Sequence, residues 1–496
     1  MAAKTKTLLE LGLTANPTYD GPISGLVQDS RKAKKGMLFA ALPGSTVHGA
    51  AYVKYVVDQG VAAVLTDRDG YEIARQQLAS SSFPFIIAED PRASWAGAAA
   101  LWYEDQPEHV VAVTGTNGKT SIASFCRQIW TLLGERAVNL GTTGVEGAVQ
   151  LPLHHTTPDP LTLHHALHEV ATAGVSHAAM EASSHGLEQR RLDGVRLTAA
   201  GFSNFTQDHL DYHQSFEAYF DAKAGLFRRV LPLDAPAVIN IDDPKGAELA
   251  KELLATDHPV LTIGRNKSAD LALLSQRYAD TGQDIRFSFE GDVYRVFLPL
   301  IGAFQSENVL LASGLCIASG SDPERVFSCL QDLTTVRGRM EHAATRKNGA
   351  SVFVDYAHTP DAIKSAITSF RPHVSGRLVA LIGAGGDRDA TKRPLMGQIA
   401  GEHADFVIVS DDNPRSEDPS AIRDAVISGL NPASAFLNVG DRAEAILRGI
   451  DMLEPGDGFL IMGKGHESGQ IVGDDVLPFD DVEQASVAVA ALDGVL

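Results

Sequence analysis

Short apolar runs separated by polar stretches with helical spacing recur along the whole chain, the pattern of an α/β protein. Over residues 1–90 the runs are 37–41, 62–66 and 83–88, with a helix-like stretch between the first two, and they predict a small α/β domain. Over 91–336 the strongest predicted strand is His109–Thr114 (HVVAVT), after which Ile122, Phe125, Cys126, Ile129, Leu132 and Leu133 follow at helical spacing. Further strands are predicted at His177–Glu181, 199–205 and 237–241. Over 337–496 the runs Ser351–Asp355, 377–383, 405–410, 435–439 and Gly458–Met462 alternate with helical stretches. That alternation predicts a Rossmann-like, doubly wound, mostly parallel sheet.

Composition adds bounds. A chain of 496 residues, 44% hydrophobic and 21% charged, fits about three ordinary globular domains. Lys plus Arg number 42 against 62 Asp plus Glu, a formal charge of −20, which disfavours nucleic acid or an anionic membrane as partner. There is neither a signal-peptide core near the start nor an apolar run long enough to span a membrane. Cys126, Cys316 and Cys329 form no C-x-x-C pair, and an odd count gives no disulfide framework, so a reducing cytoplasm is expected.

The chemistry begins at Thr114-Gly115-Thr116-Asn117-Gly118-Lys119-Thr120. Glycines let backbone N–H groups converge on phosphate, the following helix offers its N-terminus, and a lysine adds charge. In an ATP site Lys119 would reach the β and γ phosphates and the Thr120 hydroxyl would sit on Mg²⁺. The spacing is G-x-x-G-K-T; Val113 stands where the common P-loop has its first glycine. A Gly-rich turn without a ligand is the plainer reading, but strand, loop and helix in this order speak against it.

T-G-T-N-G-K-T resembles the Mur ligase superfamily, which also contains the folylpolyglutamate synthases. Other stretches choose among its members: Gln28-Asp29-Ser30-Arg31 with Gly36-Met37-Leu38-Phe39, His155-Thr156-Thr157, Met180-Glu181-Ala182-Ser183-Ser184-His185, and Asp208-His209-Leu210-Asp211-Tyr212-His213. Asp355-Tyr356-Ala357-His358-Thr359-Pro360, Gly385-Gly386-Asp387-Arg388, Asp412-Asn413-Pro414-Arg415 and Gly463-Lys464-Gly465-His466-Glu467 extend the likeness to the C-terminal part. Together they resemble the members that add the third residue of the peptidoglycan peptide. The resemblance implies three domains, 1–90, 91–336 and 337–496, for the UDP-muramyl dipeptide, ATP and the incoming amino acid respectively. It also implies a monomer. The implied reaction phosphorylates the dipeptide's terminal carboxylate and lets the amine of meso-2,6-diaminopimelate displace phosphate. Positioning and charge neutralisation supply the catalysis.

By the same resemblance Thr120, Glu181 and His209 contact Mg²⁺, with Lys223 as a carbamate that holds a second ion or orients the γ-phosphate. Asn240, Asn308, Arg339 and Asp355 join the ATP site, where Lys119, Glu181, His209, Lys223 and Arg339 are the catalytic set. The dipeptide contacts fall on Gln28, Ser30, Ser45, Thr46, Val47, His155, Thr156, Thr157, Ser183, Gln189 and Arg191. Arg388, Asp412, Asn413, Pro414, Arg415, Gly463 and Glu467 form the implied diaminopimelate pocket. Arg415 carries the specificity argument, since a guanidinium grips the far carboxylate that lysine lacks. Each role has a plain rival. Lys223 alone would be a solvated helix lysine, Glu181 a surface carboxylate, Arg339 an interdomain ion pair and Arg415 a loop arginine beside Glu417 and Asp418. His154, His155, His164, His165 and His168 cluster in sequence, and apart from His155 they read as an exposed helix rather than a metal site. The functional rivals are a lysine-adding ligase, a folylpolyglutamate synthase and a nucleotide-dependent switch without catalysis.

Overall fold

The computed structural model describes residues 4–44, 46–78, 82–153, 155–206 and 215–495. The chain divides into two compact units, Met1–Ala272 with Asn308–Val326 and Leu273–Glu307 with Phe327–Leu496. Among the described residues no helix is long and apolar enough to cross a membrane.

The first unit opens with a parallel four-stranded sheet in the order Leu26–Val27, Leu38–Ala40, Ala63–Thr66, Phe85–Ile87. Leu38, Ala40, Ala63 and Leu65 fill one core and Phe39, Ala41, Val64 and Phe85 another, the two faces of one buried sheet. The helix Pro91–Tyr103 starts on the Asp90 side chain, which accepts the Ala93 N–H, with Pro91 in the first turn where its missing N–H costs nothing.

The larger sheet of this unit runs Val260–Gly264, Ala237–Asn240, Ala199–Phe202, His109–Thr114, His177–Glu181, Ala137–Gly141, Gly144–Gly147. Only the last pair is antiparallel among these strands. His109–Thr114 is buried almost throughout, and helix Lys119–Leu132 covers the sheet with Ile122, Phe125, Cys126 and Ile129. Leu132, expected on that face, ends the helix 47% exposed.

The second unit carries the Rossmann-like sheet, ordered Glu341–Thr345, Ser351–Asp355, Gly458–Met462, Leu378–Ile382, Phe406–Val409, Phe436–Asn438. All neighbours are parallel except the first pair. An antiparallel hairpin, Gly282–Phe289 with Asp292–Leu298, packs Phe287 and Phe289 on Phe327 in the same unit.

Both parallel sheets place chemistry at the carboxyl ends of their strands, where helix N-termini and loop N–H groups gather. In the first unit Thr114, Glu181, Phe202, Gly141 and Asn240 are such ends. In the second, Asp355, Ile382, Val409 and Met462 lead into D-Y-A-H, G-G-D-R, D-N-P-R and G-K-G-H-E.

Candidate active site

The loop after Thr114 is fixed by its neighbours. Gly118 begins the helix at φ 89°, and Gly115 has φ 145°, backbone that glycine adopts without a Cβ penalty. Space requires glycine too: a Cβ on Gly115 would lie 2.0 Å from Ser203 Oγ, and one on Gly118 2.5 Å from Asn308 Oδ1. Thr116 N–H donates to the Asn204 carbonyl (2.9 Å) and Asn117 N–H to Asn204 Oδ1 (2.9 Å). Ser203 Oγ donates to the Asn117 carbonyl at 2.7 Å. Thr116 Oγ1 accepts from Thr206 N–H and lies 3.3 Å from the Tyr219 hydroxyl. The helix Lys119–Leu132 begins directly after this braced loop, with Gly118 at its N-cap.

Two lysines converge on one carbonyl. Lys119 Nζ donates to the carbonyls of Gly115 (2.9 Å) and Thr116 (2.8 Å). Lys223, 1% exposed, donates to the same Gly115 oxygen at 2.7 Å, its Nζ 4.6 Å from the Tyr219 ring centre. The solvated-helix reading of Lys223 therefore does not hold.

Glu181 is the hub. Thr120 Oγ1 donates to its Oε2 (3.0 Å) and Thr142 N–H to its Oε1 (3.0 Å). A Cβ on Gly141 would fall 1.9 Å from Oε1, so the carboxylate occupies room that only glycine leaves. From the Glu181 carbonyl the bonding continues: Thr157 Oγ1 donates to it (2.9 Å) and accepts from Ser183 N–H (3.0 Å). Arg191 donates to the Thr157 carbonyl (2.6 Å) and to Gln189 Oε1 (2.8 Å). Thr156 and Thr142 join through their hydroxyls at 2.9 Å. Thus Thr120, Glu181, Thr156, Thr157, Ser183, Gln189 and Arg191 form one connected group.

Other expected residues have surroundings of their own. Gln28 accepts from Trp95 Nε1 at 3.2 Å, Ser30 lies between the paired Asp29 and Arg31, and Thr46, Val47 and His155 are exposed. Asn240 is buried, its Oδ1 accepting from Asp242 N–H at 3.0 Å. Ser45 and His209, with the whole D-H-L-D-Y-H stretch, fall outside the described residues. The histidine cluster needs correction: His164 is buried, not exposed, and contacts the Asp193 carbonyl through Nε2 at 3.2 Å. The spare faces of the larger sheet need an inner helix, and His164 is on the inward side of Pro160–Thr172 with Leu163 and Leu167. His165 and His168 pair with Glu169 and Asp105.

In the second unit Asp355 accepts from Met340 N–H (2.8 Å) and Ala357 N–H (2.9 Å). Desolvation outweighs these bonds and the nearby Arg339 charge, and raises its carboxyl above the usual range. Arg339 is exposed, its guanidinium 5.1 Å from the Tyr356 ring centre. Asp412 and Asn413 are buried; Asn413 Nδ2 donates to Glu467 Oε2 at 2.9 Å. Arg415 adopts φ 51° and donates through Nη1 to the Gly386 carbonyl at 2.7 Å. Gly386 N–H in turn donates to the Asn413 carbonyl at 2.9 Å. Gly463 N–H donates to the Asp355 carbonyl at 3.1 Å, and Arg388 is exposed at the end of G-G-D-R.

Family models describing the Mur ligase catalytic, middle and glutamate ligase domains match residues 22–107, 113–316 and 338–465. A protein of Caulobacter vibrioides named UDP-N-acetylmuramoyl-L-alanyl-D-glutamate–2,6-diaminopimelate ligase is 46% identical over 481 residues, 96% of this chain and 97% of its own. The chain belongs to the Mur ligase family. A Zymomonas mobilis member of the same name is 44% identical over 476 residues, 95% of each chain. A solved Mur ligase structure bearing that name aligns at TM-score 0.76 and 32% identity over 98% of this chain and 99% of that one. A Mycobacterium tuberculosis folylpolyglutamate synthase with ADP shares the fold at TM-score 0.57 and 21% identity, covering 75% of this chain and 91% of that one.

Mur ligases use ATP and Mg²⁺, and the residues present suit a hard cation. A hydroxyl and a buried carboxylate in contact are oxygen donors, and Mg²⁺ takes few protein ligands beside water and phosphate. Sequence reasoning missed Asn204, Ser203 and Thr142, which brace the loop and Glu181. The signal was available in position alone: Ser203 and Thr142 immediately follow strand ends.

Proposed function

We propose that this chain joins meso-2,6-diaminopimelate to the D-glutamate of UDP-N-acetylmuramoyl-L-alanyl-D-glutamate, with ATP, in peptidoglycan synthesis. The names of relatives that match over nearly its whole length support the reading. The observation that carries it is the second-unit loop set, in which the Arg415 guanidinium is held by the Gly386 carbonyl and Asn413 holds Glu467. A cation and an anion on neighbouring loops suit the far end of diaminopimelate, which bears both a carboxylate and an ammonium.

The reaction divides between the units. In the first, the loop N–H groups from Gly118 onward receive the phosphates, and Lys119 exchanges its loop carbonyls for phosphate oxygens. Thr120, Glu181 and His209 would hold Mg²⁺, which neutralises charge on the phosphates. Thr157, Ser183, Gln189 and Arg191 orient the dipeptide so that its terminal carboxylate meets the γ-phosphate. Gln28, Ser30, Ser45, Thr46, Val47, His155 and Thr156 hold the rest of that substrate. Asn240, Asn308, Arg339 and Asp355 serve the nucleotide. The amine, oriented in the second unit by Arg388, Asp412, Asn413, Arg415, Gly463 and Glu467, attacks the acyl phosphate; the tetrahedral adduct collapses and phosphate leaves. The enzyme works as a cytoplasmic monomer.

Phosphate release tests the reading. With UDP-muramyl dipeptide and ATP, diaminopimelate should support turnover about 10²-fold or more better than lysine in kcat/KM, because lysine leaves Arg415 unpaired. R415A should lose most of that preference. Release with neither amine would refute the ligase reading, and a preference for lysine would refute the role of Arg415.

Lys223 belongs to the same proposal as a carbamate. Capture of CO₂ by its neutral amine turns the cation now resting on the Gly115 carbonyl into an anion with two oxygens. Protein incubated with ¹³C-bicarbonate should give a carbamate carbon resonance that K223R lacks. If wild type and K223R give the same spectrum, Lys223 leaves the metal set.

A further inference from the structure

We infer that Lys464 is a positioning residue of the amine site, setting the orientation of the Asn413 amide and, through it, of Glu467; this rests on the ligase reading above. Lys464 is 0% exposed, in the loop after strand Gly458–Met462. Its Nζ donates to Asn413 Oδ1 at 3.0 Å and lies 3.4 Å from Glu467 Oε2. Asn413 Oδ1 also accepts from Ile471 N–H at 2.9 Å.

These bonds settle which way the amide points. An oxygen receiving two N–H donors leaves the NH₂ group to face Glu467, and Nδ2 does donate to Glu467 Oε2 at 2.9 Å. With Lys464 gone, one of the two donors that hold the oxygen in place is lost. Glu467 then loses its nearby positive charge and the fixed donor that orients it.

A filler of the core would not be a lysine here. Taking an ammonium out of water is costly, and an apolar side chain of similar volume is usually as stable or more so. The same unit also buries an ion pair, Arg442 with Asp481, whose side chains are each 0% exposed. Arg442 donates to the Met462 carbonyl at 3.1 Å, anchoring the strand end from which Lys464 projects. The supporting layer beneath the D-N-P-R and G-K-G-H-E loops is therefore charged and hydrogen-bonded, as an orienting layer requires.

The test is steady-state kinetics on the full chain, first with wild type. If wild type releases phosphate with neither diaminopimelate nor lysine, the ligase reading fails and this inference with it. If wild type is active, K464M is expected to raise KM for diaminopimelate about ten-fold or more while KM for ATP stays within about two-fold. The unchanged ATP value reports that the variant is folded. K464R, which keeps charge and donors, should recover most of the loss; a filler role predicts no such recovery. In an N413A background the further effect of K464M should shrink to a small fraction of its size in wild type. An unchanged KM for diaminopimelate in active K464M, an equal rise for ATP, or an undiminished effect in the N413A background would overturn the inference. Should K464M not accumulate, the comparison of K464Q with K464R under the same criteria decides it.

Discussion

At the scale of single residues, His164 shows how surroundings alone can build pH dependence into a fold. It is 1% exposed, its Nε2 meets the Asp193 carbonyl, and among the described residues its Nδ1 has no partner. Burial, helped by the Arg196 charge, lowers its pKa from 6.5 to about 4. The sign follows from which state takes the proton. Below 6.5 the unfolded chain protonates His164 while the folded chain keeps it neutral, so stability falls as pH drops from about 6.5 and levels off below about 4. Between pH 7 and pH 5 this one group removes about 2 kcal/mol. H164M removes the titration. Urea unfolding of the first unit should then lose about 2 kcal/mol less over that interval than in wild type. Identical pH slopes in the two proteins would show that His164 is not held neutral. The sequence pattern alone puts this residue on an exposed helix, because i,i+4 histidines carry no label of which helix face turns inward. Site residues were more legible: Lys119, Thr120 and Glu181 are chemically distinctive types beside strand ends, and Glu181 is found bonded to Thr120. Lys464 was legible as part of a motif but not as a buried orienting group, since burial of a lysine depends on the layer beneath it.

At the scale of elements, legibility follows burial on both faces. Strands such as Ser351–Asp355, Leu378–Ile382, Phe406–Val409 and Gly458–Met462 are covered on both sides by helices and so read as continuous apolar runs. Their existence was predicted, with ends within a residue or so. Strands that break the rule escaped. Ala137–Gly141 is buried throughout but carries Asn139, whose Oδ1 accepts from Arg127 at 2.7 Å, a polar residue tolerated because it is paired. Leu26–Val27 is too short to make a run. Gly282–Phe289 alternates buried and partly exposed positions, the period of a half-covered hairpin rather than of a central strand. The loops between elements were legible where a motif occupied them. Their bracing was not, because Asn204 reaches the phosphate loop from 87 positions away in sequence. Only the pairing of His109–Thr114 with Ala199–Phe202 brings the two together.

At the scale of the whole molecule, the three family domains over 22–107, 113–316 and 338–465 account for most of the chain, and the proposed chemistry draws on both units. The formal charge of −20 opposes every one of the anionic substrates at long range. On the proposed reading recognition is local: loop N–H donors and Lys119 for phosphate, Arg415 for a carboxylate. Local recognition predicts local protection from hydrogen exchange, since a ligand that binds only the ordered loop suppresses its opening by its own binding free energy. A non-hydrolysable ATP analogue with Mg²⁺ should slow exchange in peptides covering 114–122 and 203–206, where backbone and side chains interlock. Diaminopimelate should instead slow exchange over 384–388, 412–416 and 463–471, where the Arg415 and Asn413 bonds run. Peptides over the hairpin Gly282–Phe289 with Asp292–Leu298, which contributes no proposed contact, serve as the control and should respond to neither. If diaminopimelate protected 114–122 and left 412–416 unchanged, the amine would be recognised by the nucleotide-binding unit. The assignment of Arg415 and its neighbours to the amine would then be wrong, while the ATP site on Thr114 to Thr120 would stand.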